Sequence, residues 1–171
     1  MEKKSNDNGR NLIAKRHKIL EAAMSVFSEV GYEKAHIRDI ARKARVSQGT
    51  IYEAFRDKEG LLHGIPEMVM PRAIEDLTLH MNGIVGAVNK PRKFTWFYLH
   101  FFEAHPAWSK VVLLQIKPNS RFLHTQAYQL VRDCTSYAEE LFRISLRAFG
   151  TKSALSIANS QEVKPGLLPT S

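Results

Sequence analysis

The sequence predicts an all-α protein organised around a helix-turn-helix, and three observations carry that prediction. Apolar residues recur at helical spacing in most segments between Ile19 and Phe142. Two such stripes, within residues 37–58, are short and separated by about three residues, as in a helix-turn-helix. Glycine and proline fall where the stripes break, at Gly31, Gly64, Pro66, Pro91, Pro106 and Pro118, so the segments end instead of merging.

Taken in order, residues 1–11 are polar and are expected to form a disordered tail. A minor-groove arm is the functional alternative for that basic segment. The first helix runs from about Asn11 to Val30. Its stripe is Ile19, Ala23, Val26, Phe27 and Val30, and Gly31 ends it. The second helix buries Ile37, Ile40, Ala41 and Ala44, with small Ala41 where the third helix passes closest. Ser47 is a preferred N-cap for that third helix, which Val46, Ile51 and Phe55 lock against its neighbour. A fourth helix starts after Asp57. Gly64-Ile65-Pro66 is read as the boundary between a domain of residues 12–65 and a second of 66–149, with a kink at Pro71.

An amphipathic stretch follows from Arg72 to about Val85, closed by a turn at Asn89-Lys90-Pro91. Residues 92–105 hold six aromatic side chains, of which Phe94, Phe97, Tyr98 and Phe101 share a stripe with His105 while Trp96 points elsewhere. The stripe reads as a core helix. The functional alternative is the wall of an apolar effector pocket of Phe97, Tyr98, Phe101 and His105, since ligand sites are mostly apolar with a few polar groups. Pro106 opens a further helix to Ile116, and 120–149 is the longest periodic segment. Its buried side is expected to hold Leu123, Ala127, Leu130, Val131, Cys134, Tyr137, Ala138, Leu141 and Phe142. Residues 150–171 lose the stripe and are read as an irregular tail.

The outward residues of the 37–58 stretch point to duplex DNA. A recognition helix leads with its N-terminal turn, so the residues after the cap reach base edges while backbone amides face phosphates. Gln48 suits adenine in two-point fashion, and Gly49 lets the backbone approach. Thr50 and Tyr52 bring hydroxyls. Arg38 and Lys58 are cations suited to phosphate, Lys58 more so because a cation is disfavoured at a helix N-terminus. Lys34 to Arg45 holds five bases against one acid, the footprint of phosphate neutralisation. The net charge of +8 adds little, because residues 1–62 hold 13 bases against 9 acids and the remainder holds 12 against 8.

The segment from Ala14 to Leu62 resembles the DNA-binding domain of TetR-family transcriptional regulators. The resemblance lies in Ile19-Leu20-Glu21-Ala22-Ala23, Phe27, Gly31-Tyr32, Ile37-Arg38-Asp39-Ile40-Ala41, Val46-Ser47, Ile51-Tyr52, Phe55, Lys58-Glu59 and Leu61-Leu62. It implies that the helix begun by Ser47 reads the groove and that Tyr52 and Lys58 grip the backbone. Glu53 and Ala54 depart from the aromatic or histidine side chains usual there, so fewer phosphate contacts are expected. His36 stands at a Thr/Ser cap position, and Arg45 at a turn where Gly or Asn is usual, at a cost of roughly 1 kcal/mol. Over 63–149 only helix pattern and order are similar to the family's effector-binding and dimerisation domain. The two further helices that the resemblance implies after residue 149 are missing from the pattern, so the C-terminus reads as truncated or out of frame.

The single Cys134 excludes an internal disulfide and fits a packed thiol in a reducing cytoplasm. No apolar run reaches membrane-spanning length, so no membrane partner is expected. His100 and His105 lie about 140° apart on a helix and do not converge on a metal. With no nucleophile–base pair or phosphate loop, neither an enzyme nor a cofactor is expected. The leading expectation is a sequence-specific repressor, a homodimer on double-stranded DNA, released by a small apolar or aromatic effector. The alternative is a truncated regulator or helical interaction protein with impaired dimerisation and weak DNA binding.

Overall fold

The computed structural model describes residues 3–116, 122 and 125–149, and within them all regular structure is helical. The order is α1 (Lys3–Val30), α2 (Ile37–Ala44), α3 (Gln48–Phe55), α4 (Lys58–Met81), α5 (Asn89–Ala104), α6 (Pro106–Val111), a π-helical turn (Val112–Ile116) and α7 (Gln126–Phe149). The sequence expectations for residues 1–2, 117–121, 123–124 and 150–171, Leu123 and the C-terminal tail included, fall outside the described residues.

One core runs through the N-terminal half. Ile19, Leu20 and Phe27 of α1, Ile40 of α2, Ile51 of α3 and Leu61, Leu62 and Ile65 of α4 are all shut off from solvent. Full burial of such side chains contributes about 1.5–3 kcal/mol each. The same core continues into Trp108, Val111, Val112 and Ile116, so α6 and the π turn close against α1. A smaller cluster of Leu77, Phe94, Phe97 and Leu141 joins α4, α5 and α7.

Several expectations change here. Helix α1 extends back to Lys3 instead of leaving residues 3–10 as a tail: the stretch has no proline, and adding residues to an existing helix is cheap once nucleated. The end at Gly64-Pro66 does not occur, because α4 runs unbroken through Pro66 and Pro71. Each proline deletes one backbone donor, but Pro66 is fully buried among core residues and Leu61, Leu62, Met70 and Leu77 hold the helix by packing. A single helix therefore spans the boundary expected between the two domains. Asn89-Lys90-Pro91 forms the first turn of α5, where proline's missing N–H costs nothing. Tyr137 and Phe142 are exposed, not buried, because α7 packs chiefly on α4 and α5, and Val30 is exposed at the end of α1.

Candidate nucleic-acid interface

The reading head is built locally. His36 precedes α2 in extended conformation and its side chain makes no cap bond. Arg45 ends α2 in the left-handed region, φ 56°, donating its N–H to the carbonyls of Ala41 and Arg42. Ser47 caps α3: its Oγ accepts the Thr50 N–H at 3.1 Å and lies 3.0 Å from the Thr50 hydroxyl. Ile51 and Phe55 then face the core, which turns Gln48, Gly49 and Tyr52 to water with Thr50 half-buried beside the cap. Tyr52 is 49% exposed, too open for a core aromatic that packs for its own sake. Arg38 is also exposed, with Asp39 at 3.9 Å.

Between α2, α3 and the start of α4 lies an open recess of about 510 Å³, bordered by His36, Arg38, Gln48, Tyr52 and Lys58. The exposed first turn of α3 offers unsatisfied backbone donors at its rim. The structure thus brings Arg38, Gln48, Tyr52 and Lys58 to one concave surface, with Ser47, Gly49 and Thr50 on the adjoining turn.

Lys58 differs from expectation. Its Nζ donates to the carbonyls of Tyr32 (2.8 Å), Glu33 (3.2 Å) and Ala35 (3.3 Å), and lies 4.4 Å from the Tyr32 ring centroid. The ammonium is held against the α1–α2 link at the edge of the recess, so a phosphate would compete with three carbonyls. This partnership explains a cation in the first turn of α4, whose N-cap Asp57 accepts from Gly60 N–H at 2.7 Å. Lys43 is likewise engaged, with Glu29 at 2.7 Å. Hydrogen bonds from Lys43 and then Ser25 hold the Glu29 carboxyl below its ordinary value of 4.5.

Sequence reasoning missed Arg16. Its guanidinium donates to the Ala54 carbonyl at 3.0 Å, lies over the Phe55 ring at 4.3 Å and approaches Glu67 at 3.6 Å, tying α1 to the end of α3 and to α4. Nothing local marks it, because each partner is distant in sequence. Glu53 and Ala54, where the resemblance expects phosphate-holding side chains, are exposed.

In the second half, Phe97, Tyr98 and Phe101 line an enclosed cavity of about 60 Å³ with Trp108 and Val112. His105 is not among its walls; it sits at the exposed end of α5 against Phe101, ring centroids 4.5 Å apart. The cavity is too small for a ligand of ordinary size, which needs about 300 Å³ or more. Beside it, between α4 and α7, opens a cleft of about 640 Å³ bordered by Leu77, Thr78, Met81, Asp133 and Tyr137. Cys134 borders both spaces. Burial pushes the Cys134 thiol up, and burial, then the neighbouring thiol, pushes up the Tyr98 phenol. Among the described residues no group of His, Cys, Asp or Glu could hold a metal ion, and no helix is long and apolar enough to cross a membrane.

These features define a helix-turn-helix protein with an attached helical bundle. Residues 19–65 match the family description "Bacterial regulatory proteins, tetR family". The chain is 28% identical over 134 residues to the HTH-type transcriptional regulator HbdR of Aromatoleum sp. (strain CIB), covering 78% of this chain and 57% of HbdR. It is 37% identical over 78 residues to the HTH-type transcriptional regulator BetI of Yersinia pestis (strain Pestoides F), covering 46% of this chain and 38% of BetI. Residues 19–65 thus carry a DNA-binding domain like that of the tetR family of bacterial regulatory proteins. It spans little more than half the length of HbdR and less of BetI.

Two solved structures share the fold. The fatty acid degradation regulator FadR from Bacillus halodurans superposes with TM-score 0.63 at 24% identity, over 81% of this chain and 70% of that one. FadR from Bacillus subtilis, in complex with stearoyl-CoA, gives TM-score 0.61 at 23% identity, over 88% and 74%.

Proposed function

We propose that this chain is a sequence-specific DNA-binding repressor whose grip on an operator responds to a small apolar effector. One observation carries the reading: a serine-capped helix leaves Gln48, Gly49 and Tyr52 in solvent at the edge of a recess that also holds Arg38. Gln48 reads a base edge, the α3 amides and the Tyr52 hydroxyl take phosphate oxygens, and Arg38 neutralises charge. Lys58 contributes by holding the α1–α2 link.

The effector site we propose is the cleft between α4 and α7, extended inward by the enclosed cavity of Phe97, Tyr98 and Phe101. An apolar body fits these walls, and Thr78, Asn82 and Asp133 supply polar contacts at the mouth. Because α4 carries the reader at one end and the cleft at the other, a ligand that favours one tilt of α4 changes the spacing of paired readers. Its leverage equals its differential affinity for the two arrangements. The paired state proposed is a homodimer.

The test is selection of duplexes by the full chain from a random-sequence pool, followed by titration against a scrambled duplex across salt. The reading predicts preference of about a thousandfold or more for the selected site. Equal affinity for both would contradict it. A second reading, a helical interaction protein, draws on the exposed Phe142, Ile144 and Leu146 of α7. A chain that sediments as a monomer at micromolar concentration and selects no duplex would favour it.

A further inference from the structure

We propose that Gln115 is a positioning residue by which the helical bundle holds the reading head, through the backbone of Tyr32. The proposal rests on the DNA-binding reading above and adds a named route between the two halves.

Gln115 is the only polar side chain in Val111-Val112-Leu113-Leu114-Gln115-Ile116. The π-helical turn places Val112 and Ile116 in the core, 2% and 0% exposed, with Gln115 half-buried between them. Its Oε1 accepts the Tyr32 N–H at 3.1 Å, a bond between residues 83 apart in the chain. Irregular helical turns of this kind concentrate at functional positions.

Tyr32 is gripped from the other side as well. Its carbonyl accepts from Lys58 Nζ, its ring lies beneath that ammonium, and the ring edge meets Phe27 with centroids 5.5 Å apart. Lys58 also takes the carbonyls of Glu33 and Ala35, just before α2 begins. The link that sets where α2 starts is therefore clamped between α4 and the π turn. Val112, three residues from Gln115 on the same turn, is also a wall of the enclosed cavity. Displacing Val112 moves Gln115, Gln115 moves Tyr32, and Tyr32 moves the entry to the helix-turn-helix. Packed side chains and a directional hydrogen bond between two helical elements together form the kind of contiguous network that carries such a shift.

Amide hydrogen exchange on the full chain tests this, comparing wild type, Gln115→Met and Gln115→Glu. Met keeps the length of the side chain without an acceptor; Glu restores the acceptor. Loss of one such bond should speed Tyr32 exchange about tenfold in Gln115→Met, with the wild-type rate recovered in Gln115→Glu. Affinity for the duplex that wild type enriches from a random pool should fall about fivefold and recover in the same order. Unchanged Tyr32 exchange in Gln115→Met would overturn the proposal. So would faster exchange with unaltered DNA affinity. A wild-type chain that enriches no duplex would defeat the DNA reading itself, and the exchange arm would still decide whether Gln115 holds Tyr32.

Discussion

The reader, residues 19–65, and the bundle, α5 to α7, are written in the same helical pattern but close to different degrees. Within the reader, α1 packs on α2 and α4, the bundle's α6 closes on it as well, and its core side chains are almost wholly dry. In the bundle, α7 meets neighbours along one side, buries Ala127 and Leu141, and leaves Tyr137, Phe142, Ile144 and Leu146 in water. A periodic stripe states how much apolar surface a helix has. How much becomes core depends on how many neighbours surround it: α1 has α2, α4 and α6, while α7 has α4 and α5.

The sharpest way to break this comparison is to disturb the closest approaches. A side chain on Gly60 would run into the Phe55 carbonyl, and one on Gly64 would come within 2.8 Å of Leu20 Cδ2 and 3.3 Å of the Phe55 ring. Gly60→Ala and Gly64→Val should each cost about 2 kcal/mol or more in denaturant unfolding. Leu146→Ser and Phe142→Ser on α7 should stay within about 0.5 kcal/mol at low protein concentration. A loss on α7 as large as that at Gly64, growing with concentration, would mean that another copy covers that face.

The reader also stores strain that can be removed. Arg56 sits at φ 66°, ψ −52°, with the Asp57 N–H donated to the Phe55 carbonyl at 2.7 Å. This is the strained form of the γ-turn. Arg45 is left-handed as well. Arg56→Gly and Arg45→Gly should each raise stability by up to about 1 kcal/mol, read as a higher unfolding midpoint. A lower midpoint for both would show that their side chains hold more than their backbones cost.

A smaller effect is the acid limb. The folded Glu29 pKa lies below its unfolded value, so its contribution is fully present above about 4.5 and fades as pH falls through the folded value. Wild type should therefore lose more of its unfolding midpoint between about pH 5 and pH 3 than Glu29→Gln does. Equal losses would remove the Glu29–Lys43 contact as a tie between α1 and α2.

What was legible in the sequence was what is decided locally. The start of α3 at Ser47 and the burial of Ile40, Ala41, Ile51 and Phe55 follow from side chains within a few residues, while the uncapped His36 and the left-handed Arg45 were expected from the family resemblance. Tertiary packing decided the rest. Gly64-Ile65-Pro66 looked like the end of a helix, yet the burial of Gly64, Ile65 and Pro66 in the core carries α4 past it. Lys58 looked like a free cation because the Tyr32, Glu33 and Ala35 carbonyls that receive it lie 23 to 26 residues earlier. Phe97, Tyr98 and Phe101, named from the aromatic stripe of α5, do line a cavity of about 60 Å³, while the larger opening between α4 and α7 is made by helices distant in sequence and no single stripe marks it. Gln115 left one hint, a lone amide in an apolar run.

The central claim is that α3 reads base edges, and Gln48 tests it most directly. Duplexes should be selected from one random pool by wild type and by Gln48→Ala, and both consensus sites measured across salt. The account predicts that the variant loses preference at one or two positions, at about 1–3 kcal/mol, with the slope of log affinity against log salt unchanged. Identical consensus sites and affinities for the two proteins would contradict it, since the residue leading the exposed helix would then be reading nothing.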